Sequence, residues 1–271
     1  MMKYQDMTVL PALHAELTSA TGGLLATAAS LSDADIAAPS LLPGWTRGHV
    51  LTHVAQSAGS LINLLTWAKT GVKTPQYASY AARAAAIEAT AGRPAIAHLA
   101  ALEQAAARLA AAVRDLPEQA WSALVEPMRP PAHPAWYVLV RRLREIGLHH
   151  VDLNAGYGPA DWPEPFVRRE LHDCRACWPY ERSTVREVVL TRGGEVIATW
   201  RDLGTGPAVQ GAPADMLAWL TGRSGGEGVS LVPVGQPFTP GPGGTGLPEP
   251  PPWLTMPAPA DLPTTPPEDY P

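Results

Sequence analysis

Two fragments of this chain carry side chains able to act together. His49-Val-Leu-Thr-His53 comes early, and Arg144-Glu145-Ile-Gly-Leu-His149-His150-Val-Asp152 follows almost a hundred residues later. Both read as helix, where residues three or four apart share a face. Glu145 and His149 therefore point the same way, and Asp152 stays on that face. His53 from one helix, with Glu145 and His149 from another, makes a nitrogen and oxygen donor set with a fourth position open. That is the pattern of a catalytic divalent metal, zinc first.

Plainer readings stand beside it. A lone His53 among Val50, Leu51 and Val54 is also what a core histidine bonded to a carbonyl looks like. His49 is another ligand, the residue that closes its helix start, or a residue supporting the ligands from behind. Glu145, between Leu143 and Ile146, is costly to bury unpaired, and Arg141 or Arg142 could pair with it. Asp152 is a solvated carboxylate, a cap, a group that orients a ligating histidine, or a proton-transfer group beside the site. Arg83 stands in an almost all-alanine stretch and either pairs with Glu88 or lines a cleft and binds a substrate carboxylate. A metal explains His53, Glu145 and His149 together, where the plainer case needs three accounts.

The elements that must position these groups are helical up to about Asn154. Leucines at 10, 13, 17, 24, 25 and 31 recur at helical spacing. Thr46 is the expected N-cap of a second helix that ends at Thr70-Gly71. A third helical region covers Tyr77 to Asp115, broken at Gly92-Arg93-Pro94, and a Pro-rich loop from Glu126 to Pro134 leads to a fourth helix over Ala135 to Asn154. Beyond Gly156 the pattern predicts a helix over Pro163 to Tyr180, a hairpin of Thr184–Thr191 and Glu195–Arg201 turning at Arg192-Gly193-Gly194, a helix over Ala212–Leu220 and a strand over Val229–Val234. The expected fold is α+β in two domains: a metal-binding four-helix bundle over residues 1–158 and a small α+β domain over 159–235. A Pro/Gly-rich extended tail follows over 236–271, with Trp253-Leu254 as its anchor.

Composition limits the function. The 271 residues carry 20 basic and 25 acidic side chains, a net charge of −5, with no basic cluster to hold a nucleic-acid backbone. No apolar run is expected to cross a bilayer, the N-terminus lacks a secretion signal, and two cysteines make no disulfide framework. A cytoplasmic monomer with small-molecule partners is the expectation. Cys174-Arg-Ala-Cys177 lacks the βαβ context of a redox motif and reads as incidental. No nucleophile of the chain's own stands out, so a metal enzyme here would take one from water or a cofactor.

Several segments together resemble the mycothiol-dependent maleylpyruvate isomerases of the DinB-like metal-binding superfamily. They are Ser40-Leu-Leu-Pro-Gly44-Trp45-Thr46-Arg47-Gly-His49-Val-Leu-Thr-His53, Asn63 to Ala68, Thr70 to Pro75 with Ala82-Arg83, Arg144 to Leu153, and Pro248 to Leu254. The resemblance implies zinc held by His53, Glu145 and His149, with Arg83 and Asp152 at the remaining active-site positions. It implies mycothiol as a second cofactor, its thiolate adding to maleylpyruvate so that bond rotation and elimination give fumarylpyruvate. It also implies that the second domain helps hold the thiol. Gly147 replaces a bulkier family side chain and would reshape the pocket. Rival readings are a mycothiol S-transferase conjugating electrophiles, a metal-dependent hydrolase, and a non-catalytic metal-binding bundle.

Overall fold

The structure is a computed structural model, and it describes residues 8–232, 246–251 and 257–271. The expected anchor Trp253-Leu254, the N-terminal seven residues and much of the expected tail lie outside them. The architecture mixes helices with a small sheet. In order, the helices are α1 (Leu10–Ser30), α2 (Asp33–Ala37), α3 (Arg47–Thr70), α4 (Tyr80–Ala91), α5 (Ala95–Arg114), α6 (Tyr137–Asp152), α7 (Glu164–Ala176) and α8 (Pro213–Leu220). Contacts divide the chain into two compact units, residues 1–157 with 260–270, and residues 158–259 with 271.

In the first unit α6 is the central element. Tyr137, Val138, Leu139, Val140, Leu143, Ile146, Leu148 and Val151 are all buried, so its apolar surface runs most of the way round. It packs on α1 and α3, and α5 packs on those same two helices from the other side. Leu24 and Ala28 of α1, Val50, Leu51 and Val54 of α3, Leu102 of α5 and Ile146 of α6 form one buried cluster. Each such leucine or valine contributes about 1.5–3 kcal/mol over its exposed state. Among the described residues α5 is long and apolar enough, by length and composition, to cross a membrane, contrary to the sequence expectation of none. Its apolarity comes largely from alanine, and here the helix lies against α3 and α1.

The start of α3 is fixed with unusual care. Thr46 Oγ1 accepts from the His49 amide at 3.4 Å, and His49 Nδ1 accepts from the Thr46 amide at 3.2 Å. This is a reciprocal capping box with imidazole in the place usually held by Glu or Gln. The other end stops at Gly71, whose φ of 72° suits the left-handed cap. Gly48 lets the helix approach α4 closely: a Cβ there would meet Ala91 O at 2.1 Å and Ile36 Cγ2 at 2.9 Å. Gly48→Ala should therefore destabilise the protein by about 3 kcal/mol, because the obstacle is backbone and cannot swing aside. Chemical denaturation of the variant measures this, and an unchanged midpoint would contradict it.

The second unit carries a four-stranded sheet of β3 (Glu187–Arg192), β4 (Glu195–Trp200), β5 (Ala208–Gly211) and β6 (Val229–Leu231), ordered β4-β3-β5-β6. β3 and β4 form the expected hairpin, β5 runs parallel to β3, and β6 returns antiparallel to β5. The first unit holds a further ribbon of β1 (Leu124–Val125) with β2 (His133–Pro134), the second strand inside the stretch expected to be loop. Residues 260–270 pack back on the first unit. Val9 N donates to Pro267 O at 2.8 Å, Trp136 Nε1 donates to Pro263 O at 2.9 Å, and the Tyr270 ring lies 5.2 Å from that of Trp136.

Burial holds several imidazoles neutral. It lowers the pKa of His14, His53 and His98 from 6.5, and takes His133 down to about 3. Below pH 6.5 the unfolded chain takes up protons that the folded chain refuses, so stability falls as the pH drops. His133 alone accounts for about 2 kcal/mol at pH 5. Metal-free protein should show a melting temperature that declines steadily from pH 7 to 4.5, and a flat profile would contradict the assignment.

Candidate metal centre

α3 and α6 bring the predicted donors together. His53 Nε2 lies 3.0 Å from His149 Nε2 and 3.0 Å from Glu145 Oε2, and His149 Nε2 is 3.7 Å from that same oxygen. Among the described residues this is the cluster of three that could share a cation, its donor atoms all within 4.8 Å of one another. Glu145 Oε2 is sealed from solvent and has no hydrogen-bond partner, although the side chain as a whole is 30% exposed. Two imidazole nitrogens and a partnerless carboxylate oxygen crowd one point. The donor set suits a divalent cation, and it leaves His53, Glu145 and His149 as the residues to hold it.

Electrostatics supports the same assignment. Burial outweighs the pull of Glu145 on His53 and lowers its pKa, so the ring is neutral and able to coordinate. Burial would raise the pKa of Glu145, but His53, His149 and Arg141 overcome it and hold the carboxylate well below its usual range. The plain alternative for Glu145, a pair with Arg142, is not what forms. Arg142 Nη1 reaches across to α3 and donates to Val54 O at 2.8 Å and Ser57 Oγ at 2.7 Å.

Asp152 is 1% exposed, and its Oδ2 lies 2.8 Å from His149 Nδ1. A carboxylate there fixes the ring so that Nε2 faces the centre. Asp152→Asn should keep the fold and weaken metal binding by about 10–100-fold, as read by competition with a chelator. Unaltered affinity would remove Asp152 from this role. Arg83, on α4, does not pair with Glu88. Its Nη2 lies 3.0 Å from His53 Nδ1, while Glu88 Oε2 is 3.4 Å from His49 Nε2. His49 is thus committed to the helix cap and to Glu88, away from the donor cluster.

Sequence reasoning missed the residues that set the height of α3 against α6. Arg47 donates from Nε to Leu153 O and from Nη2 to Asn154 O, both at 2.7 Å, which satisfies carbonyls at the end of α6. Arg142 ties the same helices on the other side of the donors. Trp45 stacks on His49 and meets the His53 ring edge-on at 5.8 Å. The one sequence hint for Arg142 is a basic residue at an otherwise apolar position of α6. Neither Cys174 nor Cys177 is in a disulfide, Cys174 is buried, and the donor cluster includes neither.

All these donors and ties fall in the segment 17–154, which matches the model of the mycothiol maleylpyruvate isomerase N-terminal domain. The chain belongs to this family. Two solved structures are similar to it: a crystal structure of the mycothiol-dependent maleylpyruvate isomerase, and one of a mutant with a histidine replaced by alanine. Each has a TM-score of 0.75 and 28% identity, over 90% of this chain and 99% of the other. Among curated proteins none matches this sequence. The family match covers His53, Arg83, Glu145, His149 and Asp152 alike.

Proposed function

We propose that this protein is a mycothiol-dependent isomerase that converts maleylpyruvate to fumarylpyruvate, with zinc held by His53, Glu145 and His149. The convergence of those three donors within 4.8 Å carries the reading, together with the family to which the chain belongs. Two imidazoles and one carboxylate with a fourth position open suit zinc best among common divalent metals. The long helices α1, α3, α5 and α6 are read as a DinB-like four-helix bundle, with the sheet-bearing unit as a second domain. The working form is taken as a cytoplasmic monomer.

Bound at this centre, the cation would keep a thiol ionised at neutral pH, and the thiolate would supply the nucleophile for reversible addition to the cis double bond. The chain's own residues do the rest. Asp152 holds His149 in the tautomer that offers Nε2. Arg83 can only donate, so in this structure His53 Nδ1 accepts from it and the ring proton sits on Nε2. A His53 ring that gives Nε2 to a cation carries its proton on Nδ1 instead. The bond to Arg83 is then lost, and the guanidinium is released to hold a substrate carboxylate or steady enolate charge.

The test is the ultraviolet absorbance of maleylpyruvate with metallated protein, with and without mycothiol, while free thiol is followed in parallel. Conversion that needs mycothiol and leaves its concentration constant over many turnovers is expected. Loss of one thiol per product would make the protein an S-transferase instead, and no change in absorbance would reject the isomerase reading.

A further inference from the structure

A second polar feature lies on another face of the first unit. α1 and α5 do not close on each other along their whole length, and they leave a cavity of about 780 Å³. Its walls are apolar, with Leu10 and Leu17 from α1, Leu109 and Val113 from α5, and the ring of Trp121. The volume falls in the range of small-molecule sites. Polar lining groups are Thr18, Thr21, Arg114, His14 and Arg142; Arg114 is exposed and paired with Asp115, and two of the others bear on a ligand. Arg142 is 2% exposed, and its Nη1 is committed to Val54 O and Ser57 Oγ. Among the described residues nothing is hydrogen-bonded to its Nε or Nη2, and no ion pair reaches it. The second group is His14, whose Nε2 is buried and has no partner.

An arginine buried without a direct ion pair is costly, even with the charge of Glu145 partly offsetting burial, and the two unused donors are the adjacent pair that grips a carboxylate side-on. We propose that this cavity is a binding site for a small amphipathic monocarboxylate, its carboxylate held by Arg142 Nε and Nη2 and its apolar body lying between α1 and α5. His14 supplies a further polar contact for the headgroup. Burial lowers the arginine's pKa to about 10, which leaves it charged at neutral pH. The site is separate from the metal centre in its walls but shares α6 with it, since Arg142 lies one turn before Glu145.

Decanoate is a suitable probe and 1-decanol its uncharged control, both titrated into metallated full-length protein by calorimetry. Decanoate should bind at least about tenfold more tightly than decanol, the least that a charge-assisted pair in a buried site is expected to give. Ala106→Trp, which places a large ring in the cavity from its rim, should abolish decanoate binding and leave metal content unchanged. Arg142→Leu should erase the preference for the acid; should that variant fail to fold, Ala106→Trp still decides. Equal affinity for acid and alcohol, no binding of either, or binding that survives Ala106→Trp would overturn the proposal. Binding that disappears when the metal is removed would place the carboxylate on the metal instead, and would overturn it too.

Discussion

His53→Ala should give a folded protein that no longer holds its cation, with bound metal falling from about one per chain to less than a tenth and turnover falling by on the order of 10³-fold. Two donors remain after the substitution, and the lost one cannot be replaced from nearby. His49 is committed to the Thr46 cap and to Glu88, and Asp152 is committed to His149 Nδ1. Folding itself should survive, because the polar contacts the substitution removes are the 3.0 Å contacts of His53 Nε2 with His149 Nε2 and Glu145 Oε2 and the bond to Arg83. Metal analysis of the purified variant is the direct measurement, with Glu145→Gln as a companion of the same shape. His49→Ala should keep full metal content. Retained stoichiometric metal in His53→Ala would defeat the ligand assignment whatever happened to activity.

Arg83→Ala should behave in the opposite manner, with full metal content and kcat/KM lower by roughly 10²–10³-fold. Its bond to His53 uses Nδ1, the nitrogen that does not face the other donors, so the centre does not need it in order to assemble. What is lost is a charge-assisted contact to the substrate, and such contacts differ in strength by several kcal/mol between a paired and an unpaired charge. Arg83→Lys should recover little, since a point charge cannot reproduce the two-pronged grip of a guanidinium. Kinetics and metal analysis on the same preparations separate the outcomes. Unaltered kcat/KM, or loss of the metal along with activity, would remove Arg83 from substrate binding.

The sequence revealed the donors because helical spacing is a strong, local code. Glu145 and His149 had to share a face, and Thr46 and Gly71 marked the ends of the helix that carries His53. What it could not show was the meeting of that helix with α6, which depends on Arg47 and Arg142 reaching carbonyls across a gap of roughly a hundred residues in sequence. Arg142 in particular was read as a neighbour of Glu145 on its own helix, when its guanidinium crosses to α3. The strand Ala208–Gly211 was missed for a related reason. Four residues without alternation carry no pattern, and this strand exists because β3 offers it a parallel partner. The β1–β2 ribbon is shorter still, and Pro134 at its end argued for loop. Spacing alone suits His49 to ligand or cap, and the capping geometry decides it.

The return of residues 260–270 to the helical unit has a consequence for biosynthesis. The Trp136 indole N–H and the Val9 amide donate to carbonyls of Pro263 and Pro267, beyond the whole sheet-bearing stretch. The helices can gather while the ribosome is still translating the sheet, but these contacts wait until residues 260–270 emerge. Loss of residues 260–270 would uncover the rings of Trp136 and Tyr137, far along the chain from the deleted segment.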